Sequence, residues 1–222
     1  MPQRSDVIGR GRVGAAVAGR LRERGLDLDS GEPELVLICV PDGAIAEVAT
    51  PIPVGPWVAH VSGATPLSAL APHERRFSLH PLQTFTRARG PEQLDGTWAA
   101  VSGESAEARE VGFELAETLG LHPFELDDGA RTLYHAGAVF ASNYLVTLHR
   151  AATQLFERAG APPQALEPLM RRTIENGFEL TGPIARGDWA TVEAHRDAMR
   201  AERPELEHLY ETLAGATMAL AT

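Results

Sequence analysis

The stretch VIGRGRVG, residues 7–14, decides the fold of the first half of the chain. Two apolar residues lead into three glycines, Gly9, Gly11 and Gly14, and apolar residues then recur at helical spacing. In a strand, turn and helix of this pattern, the first glycine makes a tight turn and the second lets backbone N–H groups approach a diphosphate. The third lets the helix pack on the strand. The stretch therefore predicts a nucleotide-binding turn.

Outward from this turn, short apolar runs alternate with short helical patterns. The predicted strands after the turn are residues 35–40, 57–61, 77–80, 97–101 and 124–126. From residue 127 onward every long segment has helical periodicity, beginning with an apolar stripe from Leu133 to Leu155 on one long helix and continuing through a second helix to Phe178. We predict an α/β fold with a Rossmann-like, doubly wound and mostly parallel sheet in residues 1–126, followed by an all-helical domain in residues 127–222.

One part of an ordinary dinucleotide-binding fold has no room in this sequence. Only residues 26–34 lie between the first helix and the next strand, whereas a crossover alone needs about 10–12 residues. The sheet should therefore lack an ordinary second strand and crossover helix. The acidic residue that binds the adenosine ribose lies about 20 residues after the glycines, and Asp27 and Asp29 fall near that spacing. Two interpretations stay open: a cofactor held mainly through its phosphates, or a glycine turn that is a structural relic.

Ligands of a doubly wound sheet lie beyond the carboxyl ends of its strands. Arg10 and Arg12 lie inside the glycine turn, where they would neutralise phosphate charge or, alternatively, extend into solvent at a loop tip. The loops after the next two strands would flank the ribose and nicotinamide. The predicted cofactor site comprises Gly9, Arg10, Gly11, Arg12, Val13, Gly14, Val40, Pro41, Asp42 and Ser62.

Composition excludes several classes of function. The net charge of −10 over 222 residues argues against a nucleic-acid or anionic-membrane surface, which needs a basic face. The chain has no lysine, so no lysine can serve as acid, base or Schiff-base former. The single cysteine, Cys39, lies in an apolar run, and no stretch approaches the ~18 apolar residues of a membrane span. We expect a cytoplasmic protein with no metal site.

Several phrases coincide with one family. Besides the glycine turn they are CVPD (39–42), HVSG (60–63), HPLQTF (80–85), YHAG (134–137), SNY (142–144) and TGPIARGD (181–188). Together they resemble proteins that join a Rossmann-like domain to a DUF2520 domain, within the 6-phosphogluconate-dehydrogenase-like superfamily. The resemblance covers nearly the whole chain. It implies an NADP-binding N-terminal fold, an all-helical C-terminal domain and a homodimer formed through the helices, and it supplies no substrate.

His80 is the predicted acid or base. It ends a strand and precedes Pro81, which biases it to an extended conformation. Prephenate dehydrogenases have a similar His-Pro pair whose histidine faces the substrate. His80 would polarise or protonate a carbonyl or imine, or, alternatively, cap strand-end carbonyls. His135 and Asn143 would orient the substrate, and Asn143 resembles a position at which superfamily enzymes keep a substrate-binding amide.

The long helix of the predicted C-terminal domain carries polar residues on the face opposite its apolar stripe. His135, Ser142 and His149 recur every seven residues on the long helix, opposite its apolar stripe. We predict that this face lines an interdomain cleft or a dimer contact.

The sequence thus predicts an NADP(H)-dependent oxidoreductase that acts on a small carbonyl, imine or hydroxy compound. The alternative is a non-catalytic ligand-binding or scaffolding dimer with a degenerate dinucleotide site. A third interpretation is an enzyme that uses a smaller phosphorylated ligand at the glycine turn.

Overall fold

Six strands form one mostly parallel sheet in a computed structural model that describes residues 2–28 and 31–221. The sheet order is β1 to β6 in chain order, and only the pairing of β4 with β5 is antiparallel. The strands are β1 (Ser5–Ile8), β2 (Leu35–Ile38), β3 (Trp57–His60), β4 (Arg76–Pro81), β5 (Trp98–Gly103) and β6 (His122–Glu125). The carboxyl ends of β1–β4 therefore meet at one edge of the sheet.

Helices cover both faces of this sheet, as the doubly wound prediction requires. Helix α1 (Arg12–Glu23) and helix α3 (Ala106–Thr118) share one apolar core with alternate strand residues such as Leu37. The other face packs Ile38 against helix α2 (Ile45–Ala49). Strand β2 is apolar throughout because both of its faces are buried. Ser105 caps the N-terminus of α3, since its hydroxyl accepts a hydrogen bond from the N–H of Ala108 at 3.1 Å.

The predicted second strand is reduced to a single bridge. Arg4 and Asp27 form one isolated parallel pair, in which the Asp27 carbonyl accepts from the N–H of Ser5 at 2.8 Å. Continuing this register would put Gly31 opposite Ile8, but the described chain makes no further bridge there. The truncation is confirmed. The backbone of Asp27 forms this bridge, and its N–H also donates to the Gln3 carbonyl at 3.1 Å. Asp29 lies outside the described residues.

After β6 the described chain is helical. Its helices are α4 (Arg131–Val139), α5 (Leu145–Arg158), α6 (Leu166–Glu175), α7 (Trp189–Glu202) and α8 (Pro204–Leu220), and a π-helical turn, Phe140–Tyr144, joins α4 to α5. The prediction of one uninterrupted α-helix was wrong at this turn. A π turn closes i→i+5 hydrogen bonds and so holds an extra residue, which breaks the predicted seven-residue repeat. The assignment of Phe178 to the second helix was also wrong, because α6 ends at Glu175 and Phe178 has a φ of 61°.

By compactness the chain divides into two units, Met1–Ser142 and Asn143–Thr222. The predicted boundary at residues 126 and 127 marks the change from strands to helices, whereas the compact division falls inside the π turn. Among the described residues, no helix has both the length and the apolarity that crossing a membrane requires.

Candidate nucleotide and substrate site

The three glycines of the turn have three different environments. Gly9 has a φ of +110°, which favours glycine, and a Cβ there would stand 2.3 Å from the Cys39 carbonyl oxygen. A Cβ on Gly14 would stand 2.1 Å from the Gly9 carbonyl oxygen, so only glycine allows α1 to approach β1 this closely. A Cβ on Gly11 would meet no atom within 4 Å. The turn is therefore tightly packed at its two ends and open at its centre.

The open centre is also the N-terminus of α1. Gly11 is the N-cap residue, no side chain caps the helix, and its first turn contains no acidic residue. The first N–H groups of such a helix lack intrahelical partners and carry partial positive charge. A cavity of about 250 Å³ lies over this end, lined in part by Arg10, Gly11 and Arg12. The arrangement fits the diphosphate of a nucleotide.

The loops after β2 and β3 follow the glycine turn along the same edge. Val40 stands against Gly9, since a Cβ on Gly9 would lie 3.3 Å from Val40 Cγ1. Pro41 precedes Asp42, which begins a 3₁₀ turn. Ser62 is buried, and its hydroxyl oxygen accepts from the N–H of Thr65 at 3.0 Å. Ser62 thus holds its own loop, and its contact with a cofactor stays a prediction, as do those of Val13, Val40, Pro41 and Asp42.

His80 stands beside Tyr134 and His135. His80 Nδ1 and the Tyr134 hydroxyl oxygen are 2.8 Å apart, and the imidazole rings of His80 and His135 are 6.1 Å apart between centroids. Gly63 packs against both rings: its Cβ would stand 2.7 Å from His135 Cδ2 and 2.9 Å from His80 Nε2. The structure therefore brings His80 and His135 together as predicted site residues and adds Tyr134 and Gly63.

Burial decides the protonation of this cluster. Desolvation lowers the pKa of His80 to about 4, helped by the charges of His135 and Arg131 and opposed by Asp42. Desolvation raises the pKa of Tyr134 to about 12. Both groups therefore favour their uncharged forms at pH 7. His80 is therefore a neutral imidazole bonded to a neutral phenol.

His60, on the neighbouring strand, is a second neutral histidine. It is fully buried, and burial lowers its pKa to about 3, with the charge of Arg131 as the next cause. Its Nδ1 accepts a hydrogen bond from the N–H of Ser62 at 3.2 Å, which leaves the proton on Nε2. The Pro66 carbonyl partly opposes the lowering of this pKa. His60 stabilises the loop after β3.

Arg131 connects α4 to the sheet, and the sequence analysis missed it. Its side chain is 1% exposed and donates to four oxygens, at 2.6–3.2 Å. They are the Ser62 and Thr65 carbonyls of the loop after β3 and the Ser78 and Ser102 hydroxyls of β4 and β5. Asp128 lies 3.6 Å away and supplies a negative charge. Because Tyr134 and His135 follow one turn later on α4, Arg131 positions both beside His80. A lone arginine after a loop gives no local signal of such a role.

The remaining predicted residue, Asn143, lies in the π turn at the start of the second unit and is exposed. Its predicted role toward substrate stays a prediction. Among the described residues, no group of three His, Cys, Asp or Glu side chains is arranged to hold a metal ion.

Solved structures share this fold over nearly their whole length. A protein of Bacteroides fragilis that is provisionally named an NADP oxidoreductase has a TM-score of 0.82, with 98% of each chain covered at 21% identity. A protein of Thermotoga maritima has a TM-score of 0.77, again with 98% of each chain covered, at 23% identity. The reductive aminase of Aspergillus terreus, in complex with NADPH and ethyl levulinate, has a TM-score of 0.71 at 16% identity and covers 98% of this chain and 93% of its own. At these identities the likeness establishes the fold.

Comparison with curated protein sequences finds no match. A family model described as a domain of unknown function, DUF2520, matches residues 97–217. The match begins at β5, before the helical residues that the sequence analysis assigned to this domain. It covers more than half of the chain, which therefore belongs to the DUF2520 family.

Proposed function

We propose that this protein is an oxidoreductase dependent on a nicotinamide dinucleotide, with NADP(H) as the cofactor. One observation carries the proposal: the open glycine turn and the neutral His80–Tyr134 pair both lie where parallel strands of one sheet end. Ligands of doubly wound sheets bind at this edge. The reductive aminase that shares the fold holds NADPH, which supports the same class of cofactor here.

The glycine turn and α1 would hold the diphosphate. Backbone N–H groups at the start of α1 supply the hydrogen bonds, and Arg10 and Arg12 supply charge. Val40–Asp42 and Ser62 would flank the ribose and nicotinamide. A bound nicotinamide would supply or accept the hydride.

His80 would act on the substrate as a neutral hydrogen-bond donor. If the Tyr134 hydroxyl donates to Nδ1, the His80 proton lies on Nε2, the nitrogen beside Gly63. A neutral imidazole with a pKa far below 7 polarises a carbonyl or imine by donating a hydrogen bond. The substrate class that suits this group is a small carbonyl, imine or hydroxy compound, with His135 and Asn143 as its orienting residues.

The test is isothermal titration calorimetry with NADPH, NADH and AMP on wild type and Gly11→Leu. Residue 11 has open space and a φ of −68°, so leucine fits the fold but covers the helix N-terminus. We expect wild type to bind NADPH and Gly11→Leu to lose that binding while it still folds, with at most the small loss of stability that an unfavourable N-cap residue causes. Equal NADPH affinity in both proteins would refute the diphosphate assignment. His80→Ala should keep the NADPH affinity and lose turnover.

The truncated adenosine side favours a second candidate, a non-catalytic ligand-binding or scaffolding dimer. The single Arg4–Asp27 bridge is all that the described residues keep of the second strand. Wild type that binds none of the three nucleotides would support this candidate. If AMP binds and NADPH binds no more tightly than AMP, the result would support an enzyme that uses a smaller phosphorylated ligand.

A homodimer through the C-terminal helices belongs to the same proposal. Within the second unit no residue of α5 is fully buried, and large apolar side chains are exposed, among them Leu148, Leu169, Ile174, Leu213 and Leu220. Exposed apolar area on this scale is typical of protein interfaces. Light scattering coupled to size exclusion should give twice the chain mass of 23.8 kDa, and a monomer at micromolar concentration would contradict the dimer.

A further inference from the structure

The segment between β4 and the 3₁₀ turn Pro91–Leu94 lies beside the N-terminus of α1. Thr86 and Gly90 from this segment line the same cavity as Gly11. Phe85 is buried in the apolar core, and its carbonyl faces Arg12 Nη1 at 3.5 Å. The segment is thus attached to the helix whose free N–H groups open into the cavity.

A buried glutamine holds this segment in shape. Gln93 is 3% exposed. Its side-chain oxygen accepts from the N–H of Thr86 at 2.8 Å, and its side-chain nitrogen donates to the carbonyls of Thr86, Arg89 and Gly90 at 2.8–3.2 Å. A buried amide that is fully hydrogen-bonded in this way fixes the backbone around it. Arg87 and Arg89 are therefore displayed on an ordered segment.

Four arginines converge on the cavity from two segments. Arg10 and Arg12 come from the glycine turn and α1, and Arg87 and Arg89 come from the segment around Gln93. The residues that line the cavity include no carboxylate. Arg89 has one acidic neighbour, Glu92, at 3.6 Å, whereas Arg10 and Arg87 form no hydrogen bond or ion pair with any described residue. Positive charge is thus concentrated here in a chain whose net charge is −10.

We propose that Arg87 and Arg89 complete a four-arginine site, over the N-terminus of α1, for a ligand that carries two or more phosphate groups. The inference rests on the proposed function for the identity of that ligand as a nucleotide. Guanidinium groups bind phosphate oxygens in bidentate fashion. The cavity of about 250 Å³ is below the ~300–1,000 Å³ typical of sites that enclose a whole drug-sized ligand. It suits the phosphates and leaves the rest of the ligand outside.

The site also explains how a truncated adenosine side is compatible with binding. An ordinary dinucleotide fold gains affinity from an acidic residue at the end of its second strand, which binds the adenosine ribose. Among the described residues that strand is reduced to the single backbone bridge between Arg4 and Asp27. Here Arg87 and Arg89 would supply the missing affinity through contacts with the phosphates. Selectivity should therefore follow the number of phosphate groups more than the base.

The test is calorimetry of inorganic pyrophosphate and NADPH with wild type, the double variant Arg87→Gln/Arg89→Gln, and Arg24→Gln as a matched control. All three arginines are exposed, and Arg24 lies at the far end of α1, outside the cavity. We expect the double variant to raise the Kd of both probes at least tenfold and the control to change it less than twofold. Added salt should weaken wild type more than the double variant, because screening acts on the charges removed.

Each contrary outcome has a separate meaning. Wild type that binds no pyrophosphate, or a double variant within twofold of wild type for both probes, would overturn the four-arginine site. If NADPH binds to wild type, and both probes bind equally well to wild type and the double variant, the four-arginine site is overturned while the proposed function stays intact. If pyrophosphate binding depends on the arginines but NADPH binds no more tightly than pyrophosphate, the site is supported and the proposed function is overturned.

Discussion

Replacing Gly63 with alanine tests the geometry of the histidine cluster. The added Cβ would stand 2.7 Å from His135 Cδ2 and 2.8 Å from His80 Cε1, whereas ordinary contacts begin at 3.4 Å. The new Cβ would therefore lie about 0.6–0.7 Å too close to both imidazole rings. His80 cannot retreat freely, because it belongs to β4 and is bonded to Tyr134 at 2.8 Å. Overpacking of this kind costs about 1–3 kcal/mol.

Gly137→Ala is the matched control for this substitution. It adds the same methyl group within α4, where no atom lies within 4 Å of the new Cβ. Alanine is favoured over glycine inside a helix by about 0.5–1 kcal/mol. Urea unfolding at pH 7 should therefore show Gly63→Ala destabilised and Gly137→Ala stabilised, about 1.5–4 kcal/mol apart. Stability of Gly63→Ala within 0.5 kcal/mol of wild type would refute the packing of Gly63 on the two imidazoles.

Three further predictions concern buried groups. First, the lowered pKa values of His60 and His80 mean that the unfolded chain binds more protons below pH 6.5. Stability should therefore be constant above that pH and fall as pH drops toward 4, by up to about 1.4 kcal/mol per pH unit for each histidine. Urea unfolding between pH 7 and 5 checks this, and a flat profile would contradict it. Second, Arg131→Met leaves buried oxygens without donors and should cost about 3–5 kcal/mol; a loss below 1 kcal/mol would show that the network is dispensable. Third, burial raises the pKa of the Cys39 thiol to about 12, so a disulfide reagent should react only after unfolding, and rapid reaction of the folded protein would be inconsistent with its burial.

Local pattern was enough to predict most of the sheet. The strand at residues 35–40 was predicted because uninterrupted apolar residues suit a strand buried on both faces, and β2 occupies Leu35–Ile38. The loss of the second strand was also predictable, because chain length alone forbids a crossover in residues 26–34. The reversal of β5 against β4 was not, because pairing direction depends on a partner that the strand's own residues do not identify.

The positions of candidate residues could be predicted where they follow from strand ends, and not where they depend on tertiary contacts. The position of His80 near the end of β4 was predictable because a histidine precedes proline at the end of an apolar run, whereas its role stays a prediction. Tyr134 lies in a phrase that the sequence analysis quoted, yet its bond to His80 requires α4 to lie on the sheet. Arg131 and Gln93 were missed because a buried side chain that hydrogen-bonds to several groups can be recognised only once those groups are seen around it. The π turn was missed because apolar residues at α-helical spacing, such as Phe140, Tyr144 and Leu148, run through it in the sequence without a break.

A crystal structure of the protein soaked with NADPH tests the central claim most directly. We predict the diphosphate on the backbone N–H groups at the start of α1, over Gly11, with the nicotinamide directed along the sheet edge toward His80. A dinucleotide bound away from Gly11, or a turn closed by the protein's own side chains, would contradict it.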